Sequence, residues 1–243
     1  MKLDVDNKSN MLLFLLLSAD VLLIILNILY LSSEHIGFFR TPWLSFDDRS
    51  FPESYTYIKE FWIVLLLAIL AVRRSKSLYF FWSLLYGYLL VDDSFRFHER
   101  LGSLLNFHFK FIPVFGLRPQ DIGELTVYGI SAVFLLIPIG IAYSKSDADT
   151  KLDSRCFFII LAILAFFGVG VDMVHEMITN ITLNESFGVL ENGGEMLVVS
   201  IMLWFAFCLV TNDRCRLNIC DKLHSRSSCW LMRYLGRFIC VKF

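Results

Sequence analysis

Six stretches of this chain are apolar on all sides, and short polar or mixed segments separate them. A helix needs about 20 residues to cross a hydrocarbon core of roughly 30 Å. The stretches 11–31, 60–72 with the residues just before it, 78–97, 122–143, 157–177 and 191–211 supply that length. The pattern predicts an all-α fold, a six-helix transmembrane bundle. Its first stretch is long, is interrupted by Asp20 and precedes no small-residue cleavage site, so it reads as a retained anchor rather than a signal peptide.

Composition agrees with solvation by lipid: 56 % of the 243 residues are apolar and 24 are Phe, too many for an ordinary soluble domain of this length. Charge adds an orientation. Lys2, Lys8, Arg73, Arg74, Lys76, Lys145, Lys151, Arg155 and seven residues after Thr211 put 15 of the 22 Lys and Arg on one side. Cytoplasmic loops are enriched in these residues, so that side is expected inside, with both termini cytoplasmic. Fifteen acids fall on the other side and seven on the basic side, so the net charge of −1 hides a strong separation. An acidic outer face attracts cations and excludes nucleic acid as a partner. The expected location is the bacterial inner membrane, with membrane lipid as the partner and a homo-oligomer left open.

No linker divides the chain. Residues 1–211 form the expected six-span domain, and 212–243 read as a basic amphipathic tail on the inner leaflet. All six cysteines lie at or beyond the cytoplasmic helix ends, where thiols stay reduced. The outer loop 32–58, with Pro42 and Pro52, reads as a lid. The apolar loop 102–119 is expected along the membrane interface.

The outer helix ends repeat a plan. Lys59-Glu60-Phe61, Gly123-Glu124-Leu125 and Gly194-Glu195-Met196 each open an apolar stretch; Asp92, Asp93, His98 and Glu99 close one, and Asp172, His175 and Glu176 close another. Three helical hairpins can therefore share one design. Counting about 1.5 Å per residue brings Asp92, Asp93, Asp172, Glu124 and Glu195 to one depth, with His98, Glu99, His175, Glu176 and Glu191 just above. A carboxylate in hydrocarbon costs a few kcal/mol unless it finds a partner, so five such acids from four helices meeting at one level point to a site. Asp172, His175 and Glu176 share a helix face, as do Glu191 and Glu195. Gly168, Gly170, Gly193 and Gly194 would let two of these helices approach closely.

Carboxylates and imidazoles turned inward from neighbouring helices are the usual ligands of metal sites in bundles, and Asp172-x-x-His175 matches the common acid-x-x-His pair. Hard oxygens with one or two imidazoles suit zinc, iron or manganese. The expected metal ligands are His98, His175, Asp172, Asp92, Asp93, Glu99, Glu124 and Glu191, with Glu176 or Glu195 as the catalytic base. The competing structural reading is a salt-bridge network in which Arg96 neutralises Asp92 or Asp93 and Arg100 or Lys59 takes other acids. Asp20 reads as one end of an interhelical hydrogen bond or a station on a proton path.

The segments 53–62 (ESYTYIKEFW), 91–101 (VDDSFRFHERL) and 191–205 (ENGGEMLVVSIMLWF) resemble parts of uncharacterised multi-spanning bacterial membrane proteins. Those proteins carry an Asp-Glu then His-Glu motif in mid-chain and a Glu-Glu then Glu-Met motif near the end. This chain departs by Asp93 in place of the usual Glu and by Asn192 beside Glu191. The resemblance implies the same topology and the same choice of residues.

The functional expectation is a metal-dependent hydrolase or oxidase of a lipid or other membrane-borne substrate. A proton- or cation-coupled transporter or channel would use the same acids as an entry site, and a structural or signalling membrane protein would use them as a salt-bridged core. No nucleophile motif of a serine hydrolase, mid-span lysine of a retinal protein or glycine-rich phosphate loop is evident.

Overall fold

The computed structural model describes residues 3–33, 42–46, 50–114 and 116–211. The basic tail expected over 212–243 lies outside the described residues. The described residues are helical apart from short connections and one isolated bridge between Val114 and Leu117. In order they form α1 (Leu3–Ser33), a single 3-10 turn (Pro42–Leu44), α2 (Phe51–Arg74), α3 (Ser77–Phe95), α4 (Phe97–Phe109) and α5 (Pro119–Lys145). After these come α6 (Ala148–Ala165), a π-helical turn (Phe166–Val171), α7 (Asp172–Glu176) and α8 (Ile181–Thr211).

Five segments are long and apolar enough to cross a membrane: Ser9–Ser32, Phe51–Arg74, Pro119–Lys145, Ala148–Glu176 and Ile181–Thr211. The third expected span, α3, is a 19-residue helix in the same bundle, less apolar because it carries Tyr79, Trp82, Tyr86, Tyr88, Asp92 and Asp93. The surface is the reverse of a soluble protein's. Phe14, Val133, Phe134 and Ile137 on α1 and α5 all point outward, more than half exposed. Lipid, not water, is the solvent such a surface suits.

Several boundaries differ from the sequence reading, each for a local reason. α2 starts at Phe51 rather than near 60: Ser50 caps it by accepting from the Glu53 amide, and Pro52 occupies its first turn. The end of the expected lid is therefore helix. The helix expected over 78–97 stops at Phe95, because Arg96 adopts a left-handed conformation with φ 52°. A new helix, α4, takes up the first part of the expected interfacial loop, as far as Phe109, and exposes Leu104, Phe107 and Phe109. The helix expected from 191 begins ten residues earlier, at Ile181.

α8 is the central helix, packed against α1, α2, α6 and the π turn. Toward the basic end the interior is apolar and aromatic: Leu67, Leu70, Leu78, Trp82, Phe157, Phe205 and Leu209 are buried together. Trp82 meets Phe157 and Phe158 at 5.4 and 4.8 Å between ring centroids, and its Nε1 donates to Ser154 Oγ at 2.9 Å. Arg73 and Arg74 donate to the carbonyls of Val210 and Leu209, which lack acceptor roles within the end of α8. Tyr79 and Arg74 both bond Asp153.

Toward the acidic end α4 packs closely against α5. A Cβ at Gly102 would lie 2.7 Å from the Glu124 amide nitrogen, and one at Gly123 would lie 2.8 Å from the Gly102 carbonyl carbon. Both clashes are with backbone, so neither can be relieved by a rotamer. Gly123→Ala is expected to destabilise the protein by about 1–3 kcal/mol, as overpacking does. Thermal unfolding in detergent micelles measures it, and an unchanged midpoint would contradict this account of the α4–α5 contact.

Candidate metal centre in an acidic cavity

The acidic ends of α2, α3, α5 and α8, with the π turn, α7 and the start of α4, enclose a cavity of about 410 Å³. Eight acids line it: Glu53, Asp93, Glu99, Glu124, Asp172, Glu176, Glu191 and Glu195. His98, Arg96, Arg118, Gln120, Tyr57, Tyr128 and Phe46 complete much of the wall. Of the ten residues singled out from sequence, eight line this one space. The other two stand directly behind it, Asp92 on His98 and His175 on Glu191.

The tightest grouping is Asp92, Asp93 and His98, whose donor atoms all lie within 4.8 Å of one another; these three residues can hold a metal ion. The turn from α3 into α4 creates it. With Arg96 left-handed, the chain folds back so that the His98 amide donates to Asp92 Oδ1 at 2.8 Å, while His98 Nδ1 sits 3.1 Å from Asp92 Oδ2. Asp92 is fully buried, and both its oxygens are engaged by His98. A carboxylate holding Nδ1 sets the tautomer and leaves Nε2 as the donor available to a ligand. The Tyr128 ring stacks on the imidazole at 4.8 Å and holds its plane.

A second carboxylate–imidazole pair stands across the cavity. His175 Nδ1 lies 2.7 Å from Glu191 Oε2. The structure does not bring His175 into one tight group with Asp172, so the acid-x-x-His pair read from spacing is on one wall without a shared focus among the described residues. The two residues are i and i+3 on α7, yet Glu191 of α8 has taken the ring.

Charges expected to form a network are arranged differently from the sequence reading. Arg96 pairs with Glu99, not with Asp92 or Asp93. Lys59 is not at a helix end: it is fully buried inside α2 and bonds Asp20 Oδ1 at 2.9 Å, the Met196 carbonyl at 2.8 Å and Ser200 Oγ at 3.1 Å. Arg118, read only as a loop residue, caps α5 through Asp121 and reaches Glu176 at 2.7 Å, tying α5 to α7.

Glu195 owes its position to Gly168. A Cβ at Gly168 would overlap a Glu195 carboxylate oxygen, so glycine leaves this carboxylate the space it occupies against the π turn. Gly194 likewise admits the Phe167 ring. Single π turns within α-helices recur at functional sites, and this one carries the backbone outward by one residue where the acid needs room.

Glu53, Tyr57 and Tyr128 line the cavity and were not singled out from the sequence. Glu53, Tyr57 and Glu60 form a stripe at i, i+4 and i+7 on α2: Tyr57 donates to Glu53 and to the Asp93 carbonyl, and Glu60 is buried. Glu53 and Tyr57 fell in a segment read as loop, and Glu60 was read as the acid that opens the helix after it. Tyr128 follows Glu124 by one turn and was passed over as apolar.

His98 lies outside the long apolar helices and is mostly buried. Burial pushes its imidazole down, but the Asp92 hydrogen bond and the charges of Asp92, Asp93 and Glu124 outweigh it, so the net shift is upward from 6.5. A raised value means the folded state favours the imidazolium. That stabilisation is fully present below 6.5 and is lost as pH rises through the folded value. Thermal midpoints of metal-free protein should therefore fall with rising pH in this window, and Asp92→Asn should flatten the dependence. An identical slope in the variant would contradict the assignment.

The fold and site together define a helical membrane protein with an acid-lined cavity at one end and an Asp-Asp-His grouping in its wall. The chain belongs to the family described as domain of unknown function DUF8692, whose model matches residues 37–211. That segment contains every residue lining the cavity, and the whole of α1, with Asp20, precedes it. No curated protein and no solved structure matches the chain.

Proposed function

We propose that the cavity is an outward-facing divalent-metal centre serving hydrolysis or oxidation of a lipid or other membrane-borne substrate. The observation that carries this reading is the convergence of Asp92, Asp93 and His98 within 4.8 Å beside a cavity of about 410 Å³. Asp93 and His98 Nε2 act as ligands, and Asp92 is the positioning residue that orients the ring. Oxygen-rich donors with one imidazole suit zinc, iron or manganese. A divalent ion there would polarise a substrate carbonyl and bring the pKa of a coordinated water toward neutrality. Glu195 is the better general base of the two acids considered, because Glu176 is paired with Arg118.

The topology proposed with it has α3 as the sixth span, the basic end in the cytoplasm and the cavity facing out, in a bacterial inner membrane. Fifteen of 22 Lys and Arg on the basic side support that orientation. Metal analysis of the purified protein tests the reading. Stoichiometric metal that is absent from His98→Ala supports it, and protein that neither carries nor takes up a divalent ion overturns it.

A transporter is the second reading, favoured by the buried Asp20–Lys59 pair and by Glu60 behind Asp93. Against it, Asp153 is the only buried charged residue toward the basic end among the described residues. Proton or cation flux in liposomes, lost on Asp20→Asn, would establish it in place of the enzyme.

A further inference from the structure

The cavity's charge says what kind of substrate it takes. Eight acids face two guanidiniums, and both guanidiniums are already bonded to carboxylates: Arg96 to Glu99, and Arg118 to Asp121 and Glu176. Among the described residues that line it, the acids would still outnumber the cationic charges with a divalent ion in place. A phosphate or carboxylate headgroup would meet mostly like charge. An ammonium would meet acceptors, and Phe46, Tyr57 and Tyr128 add aromatic surface of the kind that attracts cations. Behind the wall, Glu60 is almost fully buried and its Oε2 has no hydrogen-bond partner, so acceptor capacity is left over beside Asp93.

A second space adjoins the first. Tyr57, Ile58, Phe61, Leu90, Val91, Ser94 and Phe95 border an apolar groove of about 390 Å³ between α2 and α3, open to the side. Tyr57 belongs to both spaces and divides them. Ile58, Phe61, Val91 and Phe95 are all about half exposed. A molecule lying in the groove comes up to Tyr57, which also lines the acidic cavity.

We propose that the substrate is an amine-bearing amphiphile, its ammonium held among the carboxylates and its hydrocarbon chain in the groove between α2 and α3. This rests on the cavity being a substrate site, as read above, but not on the metal. The test is calorimetric titration of the full chain in nanodiscs with dodecylammonium, dodecyl phosphate, dodecanol and ethylammonium. Dodecylammonium should bind about tenfold or more tighter than the phosphate and the alcohol. Ser94→Trp, which fills the groove at a lipid-facing position, should weaken dodecylammonium and leave ethylammonium unchanged. Equal or tighter binding of the phosphate, or no effect of Ser94→Trp, would overturn the proposal.

Repeating the titration after chelator treatment separates the two readings. Removing a cation makes the cavity more negative, so ammonium preference should persist or grow. Preference in a protein that binds no metal retains the substrate class and sinks the metal centre. Stoichiometric metal without ammonium preference does the opposite.

Discussion

Lys59→Met is expected to destabilise the bundle by about 3–5 kcal/mol, the usual cost of removing one partner from a buried ion pair. Lys59 and Asp20 are both fully inaccessible, and the ammonium also holds the Met196 carbonyl and Ser200 Oγ. Without it Asp20 is a carboxylate in the bundle interior whose second oxygen already lacks a partner. The variant therefore loses more than a hydrogen bond: it leaves a charge with no counter-charge in a medium that solvates it poorly. Asp20→Leu combined with Lys59→Met should recover most of the loss, since replacing both members of such a pair is often close to neutral. Unfolding in mixed micelles measures both. A double variant as unstable as the single one would show that the lysine's other two contacts, not the pair, hold α1 to α2 and α8.

The second large effect concerns the metal. Asp92→Asn should weaken binding of a divalent ion about 10–100-fold, the range found for carboxylates that orient a ligating histidine. His98→Ala should abolish stoichiometric binding, and Asp93→Asn should reduce it, because each removes a donor from the only group of three this close among the described residues. His175→Ala is the control: its ring is held by Glu191, outside that group, and binding should stay near wild type. Titration with zinc, manganese and iron(II) in chelator-buffered solution reads all four. If His175→Ala loses the ion while His98→Ala keeps it, the centre lies on the opposite wall. Acidification should weaken binding in every case, because protons compete for the same donors.

The two pairs differ in what they ask of the surroundings. Asp20–Lys59 is buried on every side and acts on stability. Asp92–His98 is buried at the carboxylate and open at Nε2, so its cost in folding leaves a group turned to the cavity. That asymmetry distinguishes an interior brace from a site.

Much of this protein follows from local chemistry that a linear reading can use. Long apolar stretches need lipid and predict helices, and a helix's rise per residue puts Asp92, Asp93, Glu124, Asp172 and Glu195 at one depth without any knowledge of packing. Glycine spacing at 168 and 194 pointed to close approach, and Gly168 does admit Glu195. Partner choice was not open to that reading, because it depends on which faces meet. Arg96 was placed on the aspartates of its own helix, but its left-handed backbone turns α4 away and gives the Asp92 carboxylate to His98 instead. Lys59 looked like a helix-end residue until Ser50 and Pro52 started α2 early and carried it into the interior, opposite Asp20. Depth is a property of one helix and can be counted; convergence is a property of several, and only their packing decided which carboxylate holds which ring.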